Sequence, residues 1–164
     1  MKDQIETGVV NFIKAAAVLA GQTVDVLEGS GEGAISEFDP AIVALIEQSP
    51  RVAGNLATAE LNVIVSTPCK VGEKATHTTL SRFVSEIFPQ AIAPDLPVNA
   101  AHLSEHIATA TGDLVTCRGY YVMRTEAATS EDRWETNLKV DLGLCYDDPA
   151  PLESVGDIDV GSFG

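Results

Sequence analysis

The sequence predicts an α+β fold: a mostly antiparallel β-sheet with helices packed on one face and a long C-terminal β-hairpin. Three observations predict it. Helical and strand periodicities are mixed along the chain. The last two strand-like segments are adjacent and joined by a short polar link, and such strands pair most simply antiparallel. The third is the stretch RWETNLKVDLGLCY, residues 133–146, which has a period of two. Trp134, Thr136, Leu138, Val140, Leu142, Leu144 and Tyr146 fall on one parity, and Glu135, Asn137, Lys139, Asp141, Gly143 and Cys145 on the other. That is the pattern of a half-buried strand, and it runs for about 13 residues or roughly 40 Å. Ordinary strands have about 5–6 residues.

The elements follow in order. Residues 2–20 read as a helix, because Ile5, Val9, Phe12, Ala16 and Leu19 recur at spacings of three and four, widened by Ile13 and Ala20. Gly21 is its stop signal. TVDVLEG (23–29) reads as a short strand and GSGEG (29–33) as a flexible loop. That loop has no following Lys-Ser or Lys-Thr and is not a P-loop, and Ala34 stands where a dinucleotide fingerprint needs its last glycine. Asp39 and Pro40 are an N-cap and first helical position, so a short helix is the first choice for DPAIVALIEQS. The apolar run Ile42–Ile46 fits a buried strand equally well, and periodicity does not separate the two. AELNVIVSTP (59–68) is the clearest central strand, β-branched and ended by Pro68. A helix from 76 to 88 buries Leu80, Phe83, Val84 and Ile87, with Pro89 beyond its end. APDLPVN is a loop and NAAHLSEHIATA a further helix capped by Asn99. DLVTCRGYYVMR (113–124) is a strand and TEAATSED a polar connection to the final strand.

Residues 1–146 therefore read as one domain. Residues 147–164 carry five acids, no base, two prolines and three glycines without a clear period, and read as an acidic extended or flexible tail. Apolar residues make up 45% of the 164, which argues against global disorder. The formal charge is -14, from 24 acids and 10 bases. Such a surface repels nucleic-acid phosphate and acidic membranes, so neither is an expected partner. Cys69, Cys117 and Cys145 form an odd set without CxxC spacing, read as buried free thiols. The N-terminus bears acids where a signal peptide carries only bases, and the run Ala15–Ala20 is too short to span a bilayer.

No residue is nominated as catalytic, cofactor-binding or metal-binding. His102 and His106 share one helix face and, with His77, are the only metal candidates. In HLSEH, however, Glu105 is misplaced for the general base of a zinc protease, and surface histidines are the simpler reading. There is no GxSxG and no local cysteine-protease signature. Trp134, the sole tryptophan, reads as a core anchor under the helices or as an interface anchor. Arg118, Arg124 and Arg133 all lie on the hairpin, where they have intramolecular, solvent-exposed or intersubunit roles open to them. The pairs Asp147/Asp148 and Asp157/Asp159 lack the calcium-loop pattern. A hairpin that outgrows its own core needs a cover, and a neighbouring copy is the simplest one.

The N-terminal helix, AELNVIVSTP, THTTLSRFVSEIF and the closing YYVMRTEAATSEDRWETNLKVDLGL together resemble phage tail-terminator and tail-completion proteins. The resemblance covers most of residues 1–146 and is one of layout, carried by no invariant motif. It implies a small α+β virion protein without catalysis or cofactor. It implies a hexameric ring that caps the tail tube and meets head-connector or neck proteins, with DNA passing through an acidic lumen. The helix NAAHLSEHIATA and the acidic tail depart from the pattern. They leave a neck, head-closure or tail-tube-like subunit as the nearest alternative. A non-viral adaptor binding by strand addition and a metal-dependent enzyme are the further ones.

Overall fold

The computed structural model describes residues 1–29, 39–89, 98–129 and 132–147. The chain order is α1 (Lys2–Ala20), β1 (Asp25–Glu28), β2 (Ala41–Leu45), β3 (Arg51–Ala53), β4 (Leu56–Pro68), α2 (Glu73–Ile87), α3 (Val98–Ala110), β5 (Val115–Thr129) and β6 (Arg133–Tyr146). The strands form one six-stranded sheet in the order β1-β2-β4-β6-β5, with β3 paired to the start of β4. Only β1 and β2 are parallel. This is the α+β architecture the sequence predicts.

The period of two on β4 and β6 explains the core. Leu61 faces Val140, Val63 faces Leu138 and Ala59 faces Leu142 across the ladder, and all six are buried. The helices pack on this one face. α1 contributes Ile5, Val9, Phe12 and Ile13, α2 contributes Leu80, Phe83 and Val84, and α3 contributes Leu103 and Ile107. Phe88 stands edge-on to Phe12 at 5.5 Å and to Tyr120 at 5.6 Å, tying α1, the end of α2 and β5 into one cluster. The other face of the sheet is polar along its centre, with Glu60 and Asn62 of β4 opposite Asp141 and Lys139 of β6. Asn137 donates to Asn62 Oδ1 across that face at 3.0 Å.

α1 ends as its sequence dictates. Gly21 is left-handed at φ 69°, its N–H reaches Val18 O, and the Gln22 N–H reaches Ala17 O at 2.9 Å. The first-choice helix after Asp39 is not formed; that segment is β2, the buried-strand alternative. Ala41, Ile42, Ala44 and Ile46 are all buried, and the run is seated between β1 and β4, where sheet pairing outweighs the Asp-Pro start signal. Asp39 offers its carbonyl to Arg133 Nη2 at 2.8 Å instead of capping a helix. α1 also fixes the end of β2. The buried Glu6 carboxylate accepts from Ile46 N at 2.8 Å, and Lys2 Nζ donates to Ile46 O at 3.1 Å.

Further boundaries differ from the sequence reading. α3 begins at Val98, so Asn99 lies within the helix instead of capping it, and β4 begins at Leu56, where it pairs with β3 and β6. α2 starts one turn early, at Glu73. β5 runs through the supposed connection to Thr129, because Glu126, Ala127, Ala128 and Thr129 each find a β6 partner. The glycine-rich loop, most of the APDLPVN loop and the acidic tail beyond Asp147 lie outside the described residues.

Candidate assembly surface

β5 and β6 pair from Val115 opposite Tyr146 to Thr129 opposite Trp134. Two β-bulges interrupt the ladder, with Arg118 and Met123 as the extra residues. The bulges reset the parity of β5. Cys117, Tyr120 and Val122 face the helices, and so do Thr125, Ala127 and Thr129 after the second bulge. Only the first half of the strand is covered, since α3 packs there. From Tyr121 to Thr129 every residue except half-buried Val122 is exposed, including Tyr121 at 50% and Met123 at 37%.

β5 is also an outer strand of the sheet. Open edges are normally blunted by brevity, Pro, Lys or bulges. β1, at the opposite edge, has four residues. β5 has fifteen, and beyond Met123 its pairing with β6 is regular and it carries neither Pro nor Lys. The outer edge of this half-strand has no strand paired to it among the described residues.

The three hairpin arginines have partners within the chain. Arg133 Nε donates to Ser66 Oγ at 2.6 Å and its Nη2 to Ser66 O at 3.1 Å, binding β6 to β4. Arg118 Nε donates to Leu144 O at 3.3 Å. Arg124 pairs with Glu126 at 2.6 Å on the exposed strand. The contact draws the Glu126 carboxyl below its usual range, through a hydrogen bond first, and pushes the Arg124 guanidinium up for the same reason.

Trp134 lies at the hairpin end and is half-buried, between the two roles open to it. Its ring is 6.3 Å from the His77 ring, and Lys74 Nζ stands 5.7 Å from its centroid. His77 bridges β4 and β6: Nδ1 is 2.9 Å from Thr67 Oγ1 and Nε2 is 2.9 Å from Thr136 Oγ1. In the neutral ring one nitrogen donates and the other accepts, and each hydroxyl can answer either. Burial, and then the Lys74 charge, hold its pKa below the ordinary 6.5. This His-Thr-Thr clasp was not legible in the sequence, where His77 stood only as a metal candidate.

The metal candidates are not assembled. His102 is exposed, and His106 is half-buried with its ring 6.2 Å from Phe12. Among the described residues no three His, Cys, Asp or Glu side chains are placed to hold a metal ion. The cysteines are free; Cys117 is buried, Cys145 half-buried and Cys69 exposed, so burial of all three thiols is not observed. Cys69 is exposed because it lies one residue past Pro68, the last residue of β4. A polar hollow beside β3, lined by Glu47, Ser49, Arg51, Thr58, Glu60 and Asn62, contains no histidine or cysteine. No helix among the described residues is long and apolar enough to cross a membrane.

No family model matches the chain, and no curated protein matches it. Two of the solved structures that align with the chain do so at TM-scores below 0.5. One protein without a descriptive name shares 13% identity at a TM-score of 0.45, over 84% of this chain and 95% of that one. A chain from the virion of a native gene transfer agent particle shares 15% identity at a TM-score of 0.39, over 85% of this chain and 93% of that one.

Proposed function

We propose that this chain is a structural virion protein: a tail terminator whose copies form a ring that caps the tail tube and joins it to the head connector. The observation that carries the reading is the outer half of β5. A fifteen-residue strand whose residues 121–129 are exposed but for half-buried Val122, with no neighbour on its outer edge among the described residues, has more sheet than its own core uses. A head-to-tail contact made by such a strand closes into a ring when the rotation between copies allows it. The layout that resembles tail terminators supports the same reading. So does the charge of -14, because a lumen rich in carboxylates does not hold a passing phosphate backbone. No catalytic step and no cofactor enters this function.

Immunogold labelling of tailed particles that carry this chain tests it. Gold confined to the head–tail joint is the expected result, together with overlong, headless tubes when the gene is removed. Gold along the whole tail, or particles of normal tail length without the gene, sinks the reading.

A further inference from the structure

The exposed half of β5 is self-complementary. It reads Tyr121-Val122-Met123-Arg124-Thr125-Glu126-Ala127-Ala128-Thr129 and is centred on Thr125. Two antiparallel copies laid edge to edge about a two-fold axis through Thr125 place Arg124 of each opposite the partner's Glu126. Both residues lie on the polar face of the sheet, since Arg124 pairs with Lys139 and Glu126 with Asn137. Counting outward, the bulge puts Val122 and Met123 together opposite the partner's Ala127. Tyr121 then meets the partner's Ala128.

Every pair whose faces the β6 register fixes is matched in face. Val122 and Ala127 both point toward the helices, being opposite Val140 and Thr136 of β6. Tyr121 and Ala128 both point away, opposite Asp141 and Glu135. Every pair is also matched in size or charge: large against small, cation against anion. The same register covers Tyr121 and Met123, the two large apolar side chains left exposed on this strand. Shifting the register by one residue opposes faces that do not match, and shifting it by two separates the charge pairs. No other register on this edge satisfies face, size and charge together.

We propose that the free chain dimerises through this edge, with a second copy of itself as the occupant. The pairing joins two six-stranded sheets into one. The contact does not rest on the virion reading, because it stands on the strand alone. A two-fold contact closes on itself and cannot propagate, so the dimer is a self-limiting form. It also covers the strand assigned above to the ring, and the two contacts exclude each other wherever they use the same edge.

The test is the mass of the full chain in solution, by light scattering over a range of concentrations, with cross-linking. The expected result is a monomer–dimer equilibrium that rises to twice 17.3 kDa. R124E and E126R each put like charges opposite one another in both symmetry-related pairs. Each weakens the dimer about tenfold, and the double swap R124E/E126R restores it. Both substitutions lie on exposed positions and leave the core untouched.

In a C69S background, which removes the exposed native thiol, T125C forms a disulfide dimer on mild oxidation. Residues facing each other across the axis have Cβ atoms about 4.5–5.5 Å apart, close to disulfide reach. T129C does not, because two such residues lie about 26 Å apart along the paired strands. A monomer at every concentration overturns the proposal. So does T125C cross-linking no faster than T129C. A larger ring in which T125C fails to cross-link overturns it while leaving the terminator reading standing. A dimer that cross-links at T125C, from a chain absent from the head–tail joint, supports it and removes the terminator reading.

Discussion

Glu6 is a carboxylate on the apolar stripe of α1 with no exposed surface. Its removal gives the sharpest stability test of this fold. The carboxylate accepts from Ile46 N at 2.8 Å, at the point where β2 has left its ladder with β4 and its backbone needs another partner. Hydrogen bonds to charged groups contribute about 1.5–3 kcal/mol, and a buried amide left without an acceptor costs about 1–3 kcal/mol. Removing a buried carboxylate also removes its desolvation cost, which works the other way. The geometry decides the sign. An apolar side chain at position 6 leaves the Ile46 amide orphaned, whereas Gln keeps an acceptor in reach. Glu6→Ala and Glu6→Met should therefore cost about 2–4 kcal/mol, and Glu6→Gln less than about 1 kcal/mol. Urea denaturation reads this directly: with a slope of about 1–3 kcal/mol per molar, the Ala variant should lose roughly 1–2 M at the midpoint. If Ala and Met are as stable as the parent while Gln is not, the carboxylate is a tolerated burial and the clamp on β2 is imaginary.

Two further predictions concern the core. Burial pushes the Cys117 thiol up to about 11 from 9.0, and Tyr120 up to about 12 from 10.0. For both, the folded state holds its proton to higher pH than the unfolded chain. Their stability is thus fully present below pH 9 and is lost as pH rises through 9–11 for Cys117 and 10–12 for Tyr120. Cys117 alone accounts for about 2–3 kcal/mol, so Cys117→Ala should flatten the alkaline limb of a stability–pH curve between 9 and 11. Gly8→Ala should destabilise despite the roughly 1 kcal/mol that alanine gains in a helix interior. An added Cβ would lie 2.7 Å from Ile107 Cα and 3.0 Å from His106 O, so α1 and α3 must separate. A net loss of about 1–3 kcal/mol is expected by thermal unfolding, and an unchanged or raised Tm would show that the two helices yield freely.

What the sequence reveals and conceals follows from where each segment's energy comes from. α1, β4 and β6 are legible because each carries one apolar parity or stripe that its own core buries, as in Leu138, Val140, Leu142 and Leu144. β2 is ambiguous because Ala41, Ile42, Val43, Ala44 and Leu45 are apolar on both parities, and so short a run has no period to read. β3 is invisible because Arg51, Val52 and Ala53 are all exposed and owe their pairing to β4. The candidate surface is the extreme case. Thr125–Thr129 has no buried parity at all, so it reads as a connection, yet each residue has a β6 partner. Such a strand is specified by backbone pairing rather than by burial, and pairing is a property of the neighbour. On one side the neighbour is β6, whose Trp134–Leu138 stretch was readable from the first. On the other side nothing in the described chain answers. The symmetry of size and charge about Thr125 is then the only record the sequence keeps of what that second neighbour must look like.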